Sequence, residues 1–552
     1  MSDQGTTLTL QGTSISPGLA EGLIHLHHNL LGPIDAPVGI EQHNVEEEFS
    51  RLDVATARIS DDLVALAARV EKEIDSRLAD VFEAHQLIAD DSSLREELRR
   101  EIVDNLVSAS SAVKVVFLRW EKRFLLMESQ MARDKSDDIR DVSIRLRNAL
   151  AGIIVHPLDE IPEHSVLAIS RLLPSDTVFL AGRSTSAVLL EYGSAGCHAA
   201  LFVREIGLPC ISGLPNLVTT VPDGALALVD ADTGTVTIRP REEQTLLFRK
   251  KVADKEHAQR LARQHALGPA VTQDDVAISV LANVGCSDDT ERAMVNGAEG
   301  VGLYRTERAY LGRVVPPNAD ELLTEMRRTL AAAQDRPVCV RLLDIGTDKP
   351  LPFMSFLAET NPALGRRGIR FLREYPELLK TNLRAVLELA REFDVRVLIP
   401  MVTLPEDVVA VKEVLTQLGS KLRLSTLPKL GAMIETPAAA LSACEIAKHV
   451  DFLSFGTNDL TQYAFAADRE NAAVESYFND AADVIFRLLR LTHGDVPDVS
   501  LSVCGELAGR PEHTAKLLQC GIRTLSVAPP LVPIVKEAIR NSLCMTPLRQ
   551  SQ

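Results

Sequence analysis

The chain has 552 residues, 46% of them apolar, enough for a large buried core and roughly two to four domains. Its formal net charge is −17 with no dense Lys/Arg block, which argues against a nucleic-acid surface and suits a protein that meets a basic protein partner. The opening MSDQGTTLTLQ has no basic and apolar leader, no apolar run approaches the length of a membrane span, and the eight cysteines are scattered without a CxxC pair, so the expected location is the cytoplasm, without membrane insertion.

Short β-like runs occupy residues 8–23. From 45 to 150 the pattern turns helical: Phe49, Leu52, Ile59, Leu63, Leu66, Val70, Ile74 and Leu78 recur mostly at three- or four-residue steps. Leu98, Ile102, Leu106, Val113, Val116, Leu118 and Phe124 continue the pattern, and no Pro interrupts 45–155. Long antiparallel helices are the natural reading. The runs SVLAIS, TVFLAG, GLPCISG and ALALVD, punctuated by Gly and Pro, read as short strands of a compact α/β unit into which this bundle is inserted. The charged stretch 239–266 reads as a connecting helix. The expected boundaries are 1–40 with 151–238 for the α/β unit, 41–150 for the helical insert, 239–266 for the linker and 267–545 for the last domain.

That last domain carries eight strand-like runs separated by helical patterns: AISVLAN, GVGLY, VCVRLLD, RVLIPMV, LGAMIE, DFLSFGTN, VSLSVCGE and RTLSVAP. Eight β/α units over this length predict a (β/α)8 TIM barrel. Polar residues fall at the C-terminal ends of these runs: Asn283, Arg305, Arg341, Glu435, Asn458 with Asp459, and Cys504 with Glu506. In a barrel those ends converge on one mouth, where barrel enzymes build their sites.

Read as reagents, these residues suit a small, highly anionic substrate. Arg305, Arg341, Arg367 and Arg469 supply guanidinium groups that bind phosphate and carboxylate oxygens in pairs. Glu435 and Asp459 are carboxylates at adjacent strand ends, a donor set that fits Mg2+ with water and substrate completing the shell. Each would equally serve as an ion-pair partner for an arginine. Cys504 is a candidate proton donor where its surroundings keep the thiol protonated. His198, in GSAGCHAALFVREIGLPCISG, follows a small-residue turn and opens a helical pattern. A histidine so placed is uncrowded, can attack phosphorus and lies beside helix N–H groups.

The motifs ISPGLAEG, FEAHQLIADD, DDIRD, HAALFVREIGLP, NGAEGVGLYRTE, RLLDIGTDKPLP, NPALGRRGIR, IETPAAA, FGTNDLTQYAFAADREN and CGELAG together resemble enzyme I of the bacterial phosphoenolpyruvate:sugar phosphotransferase system over nearly the full length. The resemblance implies an α/β architecture with a C-terminal TIM barrel and an N-terminal phosphohistidine domain carrying the helical insert. It implies that His198 is phosphorylated, that Arg305, Arg341, Asn458 and Arg469 bind phosphoenolpyruvate with help from Arg367 and Asp459, and that Glu435 and Asp459 hold Mg2+. Cys504 would protonate the enolate, the insert would dock an HPr-like phosphocarrier, and the barrel would form a homodimer. His198 would have to leave the barrel mouth to meet the carrier, so the N-terminal unit is expected to swing on the 239–266 helix.

The chain departs from the family at one place. Enzyme I usually reads G-G-x-T-S-H before the active histidine, where this chain has Gly196 and Cys197 in the Thr and Ser positions. Losing one hydroxyl hydrogen bond costs about 0.5–1.5 kcal/mol, so His198 is expected to be less well oriented. That change leaves room for a phosphoenolpyruvate-sensing regulator of low flux. A relative of pyruvate phosphate dikinase or phosphoenolpyruvate synthase is the weaker alternative, because roughly 40 residues before the insert cannot hold a nucleotide-binding domain of ordinary size.

Overall fold

The computed structural model describes residues 7–27, 38–73, 76–125, 130–153, 158, 161–181, 185–193, 198–310, 313–346, 351, 353–354, 359–469, 471, 474 and 477–544. The chain divides into two compact units, 1–254 and 255–552. Among the described residues no helix is long and apolar enough to cross a membrane.

The first unit is built on β1 (Leu8–Gln11), β2 (Thr13–Ser16), β3 (Leu19–His27), β4 (Val166–Ile169), β5 (Ala187–Leu190), β6 (Cys210–Ser212), β7 (Leu226–Asp230) and β8 (Thr235–Ile238). Their order is β1-β8-β7-β3-β4-β5-β6-β2, with β3, β4, β5 and β6 parallel to one another. Between β3 and β4 the chain runs out into α1 (Val45–Glu73), α2 (Ser76–Ala89), α3 (Ser92–Asn105), α4 (Ala109–Leu125) and α5 (Gln130–Leu150). It returns to pair Ile24 with Val166, so the excursion begins and ends on neighbouring strands. The apolar stripe read from the sequence is the bundle core: Leu63, Val70, Ile102, Val113 and Val116 are fully buried together.

One sequence expectation fails here. TVFLAG is not a strand: Thr177 to Ala181 lie in the helix α6 (Pro174–Ala181), and Gly182 lies outside the described residues. Pro174 opens that helix with φ already set, and Asp176 accepts the Leu173 N–H at 2.9 Å. Thr177 Oγ1 donates to the Pro174 carbonyl at 2.6 Å. The helix is buried on nearly every side, so its run of apolar residues lacks a polar face and imitates a core strand. The strand in question is β5, AVLL, which follows. α6 and α7 (His198–Glu205) pack on the bundle through Val178 and Phe202.

Two of the quoted motifs meet at that seam. His85 from FEAHQLIADD is fully buried, with Nε2 3.2 Å from Asp138 Oδ1 and Nδ1 4.0 Å from Asp141 Oδ2. Asp141 accepts from the Ser175 N–H and Oγ at 2.9 and 2.8 Å and from Arg145 at 3.2 Å. These carboxylates thus tie α5 to the start of α6.

The second unit is a barrel. Its strands are β10 (Ala277–Val284), β11 (Val301–Arg305), β12 (Val338–Arg341), β13 (Val395–Val402), β14 (Lys429–Ile434), β15 (Phe452–Phe455), β16 (Ser500–Val503) and β17 (Thr524–Val527). A short β9 (Ala270–Val271) pairs antiparallel with β10. All eight barrel strands run parallel, and β10 pairs with both β17 and β11, which closes the sheet. Each apolar run singled out in the sequence overlaps one barrel strand. They read as unbroken apolar runs because helices cover one face and the packed interior the other. Leu303, Cys339, Leu398, Met433 and Cys504 form a separate buried cluster, contributed by strands around the ring.

Candidate functional site at the barrel mouth

Arg305 and Arg341 are the last residues of β11 and β12 and are register partners. Glu435 follows β14 directly, Cys504 follows β16, and Asn458 and Asp459 begin the helix Thr457–Phe465 after β15. Parallel pairing therefore delivers these side chains to one end of the barrel. Arg367 arrives from the loop after β12. Its strand-like bridge to Gly346 and the Gly368 N–H bond to Ile345 O at 3.2 Å hold that loop down. Gly368 is required there: its φ is +56°, and a Cβ would lie 2.8 Å from Met401 Cβ.

The charged groups form a chain. Arg341 Nη2 donates to Glu307 Oε1 at 2.8 Å, and its Nη1 lies 2.9 Å from Asp344 Oδ2. Asp344 Oδ2 also accepts from Arg367 Nη2 at 3.2 Å. Arg367 grips both oxygens of Asp459, at 2.8 and 3.1 Å. Arg469 Nη1 stands 3.9 Å from Asp459 Oδ1. Burial alone would depress the Arg341 guanidinium, but Glu307, Asp344 and Glu435 outweigh it and hold it above its ordinary range. Arg367 is likewise raised, its burial outweighed by Asp344 and Asp459.

The two candidate metal carboxylates differ. Asp459 is the ion-pair partner of Arg367, as the blander reading of the sequence allowed. Glu435 is not paired in that way. It is completely buried, its Oε1 accepts the Met401 N–H, and its Oε2 has no hydrogen-bond partner. Burial, then the neighbouring Asp459 and Asp344, push its carboxyl well above the usual carboxylate range despite Arg367 and Arg341. Gly456 leaves that oxygen open, since a Cβ there would sit 2.6 Å from it. A buried, orphaned carboxylate oxygen beside two more carboxylates fits a divalent cation. No cluster of three or more His, Cys, Asp or Glu suited to a metal occurs among the described residues, so water and substrate oxygens would complete the shell, as Mg2+ prefers.

Cys504 is 3% exposed. Its thiol donates to Phe455 O and accepts from Ser454 Oγ, both at 3.5 Å. Burial lifts it to about 11, against a smaller opposing pull from the Ser454 hydrogen bond. It is therefore a thiol at neutral pH, the form needed of an acid. Asn283 donates to the Cys504 carbonyl at 3.0 Å and is itself held by Ser526 at 2.6 Å. Asn458 is locked to Glu506, accepting its N–H at 3.0 Å.

His198 is the first residue of α7, so the predicted helix does begin there; Gly196 and Cys197 lie outside the described residues. Arg204, in the same motif, donates through Nε to the Ile15 carbonyl at 2.8 Å. Sequence reasoning missed Glu307 and Asp344. Both lie inside quoted motifs, two residues after Arg305 and three after Arg341. The signal was available, because a guanidinium buried at a strand end needs a carboxylate within reach.

Three family models match: PEP-utilising enzyme, N-terminal, over 11–135; PEP-utilising enzyme, mobile domain, over 161–234; and PEP-utilising enzyme, PEP-binding domain, over 259–544. A phosphoenolpyruvate-protein phosphotransferase of Geobacillus stearothermophilus is 32% identical, covering 94% of this chain and 91% of its own. One of Haloferax volcanii is 34% identical over 97% of this chain and 94% of its own, and one of Bacillus subtilis 32% identical over 89% and 88%. Similarity at this level along almost the whole length shows that the chain belongs to the phosphoenolpyruvate-protein phosphotransferase family, enzyme I.

Proposed function

We propose that the barrel mouth binds phosphoenolpyruvate and that His198 takes its phosphoryl group and passes it to a histidine of a small HPr-like phosphocarrier. The observation that carries this reading is the joint burial of Arg341 and Arg367 beside the orphaned Glu435 oxygen and the protonated Cys504. Arg305, Arg341, Arg367 and Arg469, with Asn458, neutralise and orient the phosphate and carboxylate of the substrate. Glu435 and Asp459 would hold Mg2+, which would supply charge neutralisation for the phosphoryl transfer. Asp459 then serves both the cation and, through Arg367, the substrate frame.

Transfer is largely alignment and charge neutralisation. The imidazole nitrogen of His198 forms its bond to phosphorus as the bond from phosphorus to the enolate oxygen breaks. The enolate carbon takes a proton from the Cys504 thiol and pyruvate leaves; solvent reprotonates the thiolate. The expected organisation is a phosphohistidine domain of 1–40 and 151–238, a carrier-docking insert of 41–150, a linker helix and a barrel of 267–545 that pairs in a homodimer, all in the cytoplasm. Gly196 and Cys197 favour a second reading, a regulatory relay of reduced flux built on the same steps.

Incubating the full chain with labelled phosphoenolpyruvate and Mg2+, then mapping acid-labile phosphate, tests the proposal. Label on His198 that vanishes in His198→Ala is expected. An unlabelled wild type, or equal label on His198→Ala, overturns it.

A further inference from the structure

We propose that Glu307 and Asp344 are positioning residues that act through Arg341 and Arg367, setting where the substrate's anionic groups are held; this rests on the function proposed above. A long guanidinium side chain left to itself carries about 2 kcal/mol of rotamer entropy, and a substrate clamp made of such chains would be loose. Here Glu307 Oε1 accepts both Arg341 Nη2 and the Asp344 N–H, at 2.8 and 3.0 Å, so the two carboxylates are fixed relative to each other. Asp344 Oδ2 then bridges Arg341 Nη1 and Arg367 Nη2, at 2.9 and 3.2 Å. One arginine ends β12 and the other sits on the loop before the helix Ile369–Glu374; this bridge sets their spacing. The Thr306 hydroxyl adds a bond to the Arg341 carbonyl at 3.2 Å, fixing the strand end itself.

Two features suit this positioning role. Glu307 and Asp344 are both buried, so bulk salt screens their pairs weakly. The Arg341 Nε is also buried and has no hydrogen-bond partner, so a donor is held ready beside nitrogens already pinned.

The test is the single-turnover rate of His198 phosphorylation in the full chain with Mg2+, followed against phosphoenolpyruvate concentration. Glu307→Gln keeps the shape and removes the charge. Its maximal rate is expected to fall about tenfold to a hundredfold, more than its half-saturation changes, because small misplacements cost rate steeply. Asp344→Asn is expected to fall at least as far. Glu307→Asp, which keeps the charge on a shorter stem, should lie between wild type and Glu307→Gln and guards against a variant that fails to fold. In an Arg341→Lys background, where the fork is gone, Glu307→Gln should add less than about threefold, since partners in one network are not additive. A Glu307→Gln chain with wild-type rate, or one that loses the same factor in both backgrounds, overturns the proposal. Failure of the wild type to label His198 would instead overturn the function. The same variants are therefore also compared by calorimetric binding of phosphoenolpyruvate, where Glu307→Gln must weaken affinity only when Arg341 is present.

Discussion

The barrel mouth and the seam between the helical bundle and the α/β sheet are built from the same ingredients, buried carboxylates beside cationic or titratable side chains. At the seam the acceptors serve the fold. Asp141 is spent on the Ser175 N–H and hydroxyl, Asp176 on the Leu173 N–H, and Asp138 on His85, so a helix start and a packed junction account for them. At the mouth the carboxylates hold arginines together, Arg341 Nε has no hydrogen-bond partner, and Glu435 keeps an oxygen with no partner at full burial. Long motifs mark both places in the sequence, so motif length alone does not separate a site from a joint. Placement at the ends of parallel strands does.

The largest effect should come from the mouth. Cys504→Ala removes the proposed carbon acid without touching the arginines or the carboxylates. Pyruvate formation is expected to drop by about a hundredfold to ten-thousandfold, the usual weight of general acid catalysis, while half-saturation for phosphoenolpyruvate stays within about threefold. Steady-state assays with and without the variant measure this directly. The wild-type thiol, held up to about 11 by burial, should also resist alkylation at pH 8, and a fast reaction there would show that it is not the protonated group the reading requires.

The barrel was legible because its signal is repeated. Eight apolar runs, six of them with a polar residue at the C-terminal end, give the closed sheet and most of the mouth at once, since parallel pairing leaves little choice about which ends meet. Arg367 was legible only through its motif, because its loop lies outside the strand pattern and is placed by the Gly346 bridge and Gly368. Glu307 and Asp344 went unread for the opposite reason: they touch arginines, and a search for ligands to an anion passes over acidic residues. TVFLAG was misread because a helix buried all round shows no 3.6-residue polar face.

The seam makes a smaller and purely thermodynamic prediction. Burial and the nearby Asp141 raise the Asp176 carboxyl to about 7, against a smaller opposing pull from the Leu173 N–H and Arg145; His85 and Asp138 complete the cluster. The sign follows from which state holds the proton. Between about pH 4 and 7 the folded chain keeps a proton that the unfolded chain releases, so stability present at low pH is lost as pH rises through 7. The shift corresponds to at most about 4 kcal/mol. Asp176→Asn is neutral throughout and should escape the loss, gaining on wild type from pH 5 to pH 8. The chain has a single tryptophan, Trp120 in α4, bonded to Glu97 at 3.1 Å, so urea unfolding followed by its fluorescence reports the first unit alone. A wild-type minus variant difference that stays flat across that range would mean Asp176 is ionised in the fold.

The smallest effect returns to His198, where the comparison between the regions is sharpest. The charged residues proposed for the substrate gather at the mouth, whereas Gly196 and Cys197 stand before His198 where the resemblance leads one to expect the hydroxyls of Thr and Ser. A missing neutral hydrogen bond is worth about 0.5–1.5 kcal/mol, which converts to roughly twofold to tenfold in rate. Restoring Thr at 196 and Ser at 197 should therefore speed phosphorylation of His198 by that factor in single turnover. It should leave phosphoenolpyruvate half-saturation alone, because that constant belongs to the barrel. A gain confined to the rate assigns the loop to orientation of the imidazole. A change in half-saturation instead would mean that the loop helps to bind substrate, and the division between a binding barrel and an accepting histidine would have to be redrawn.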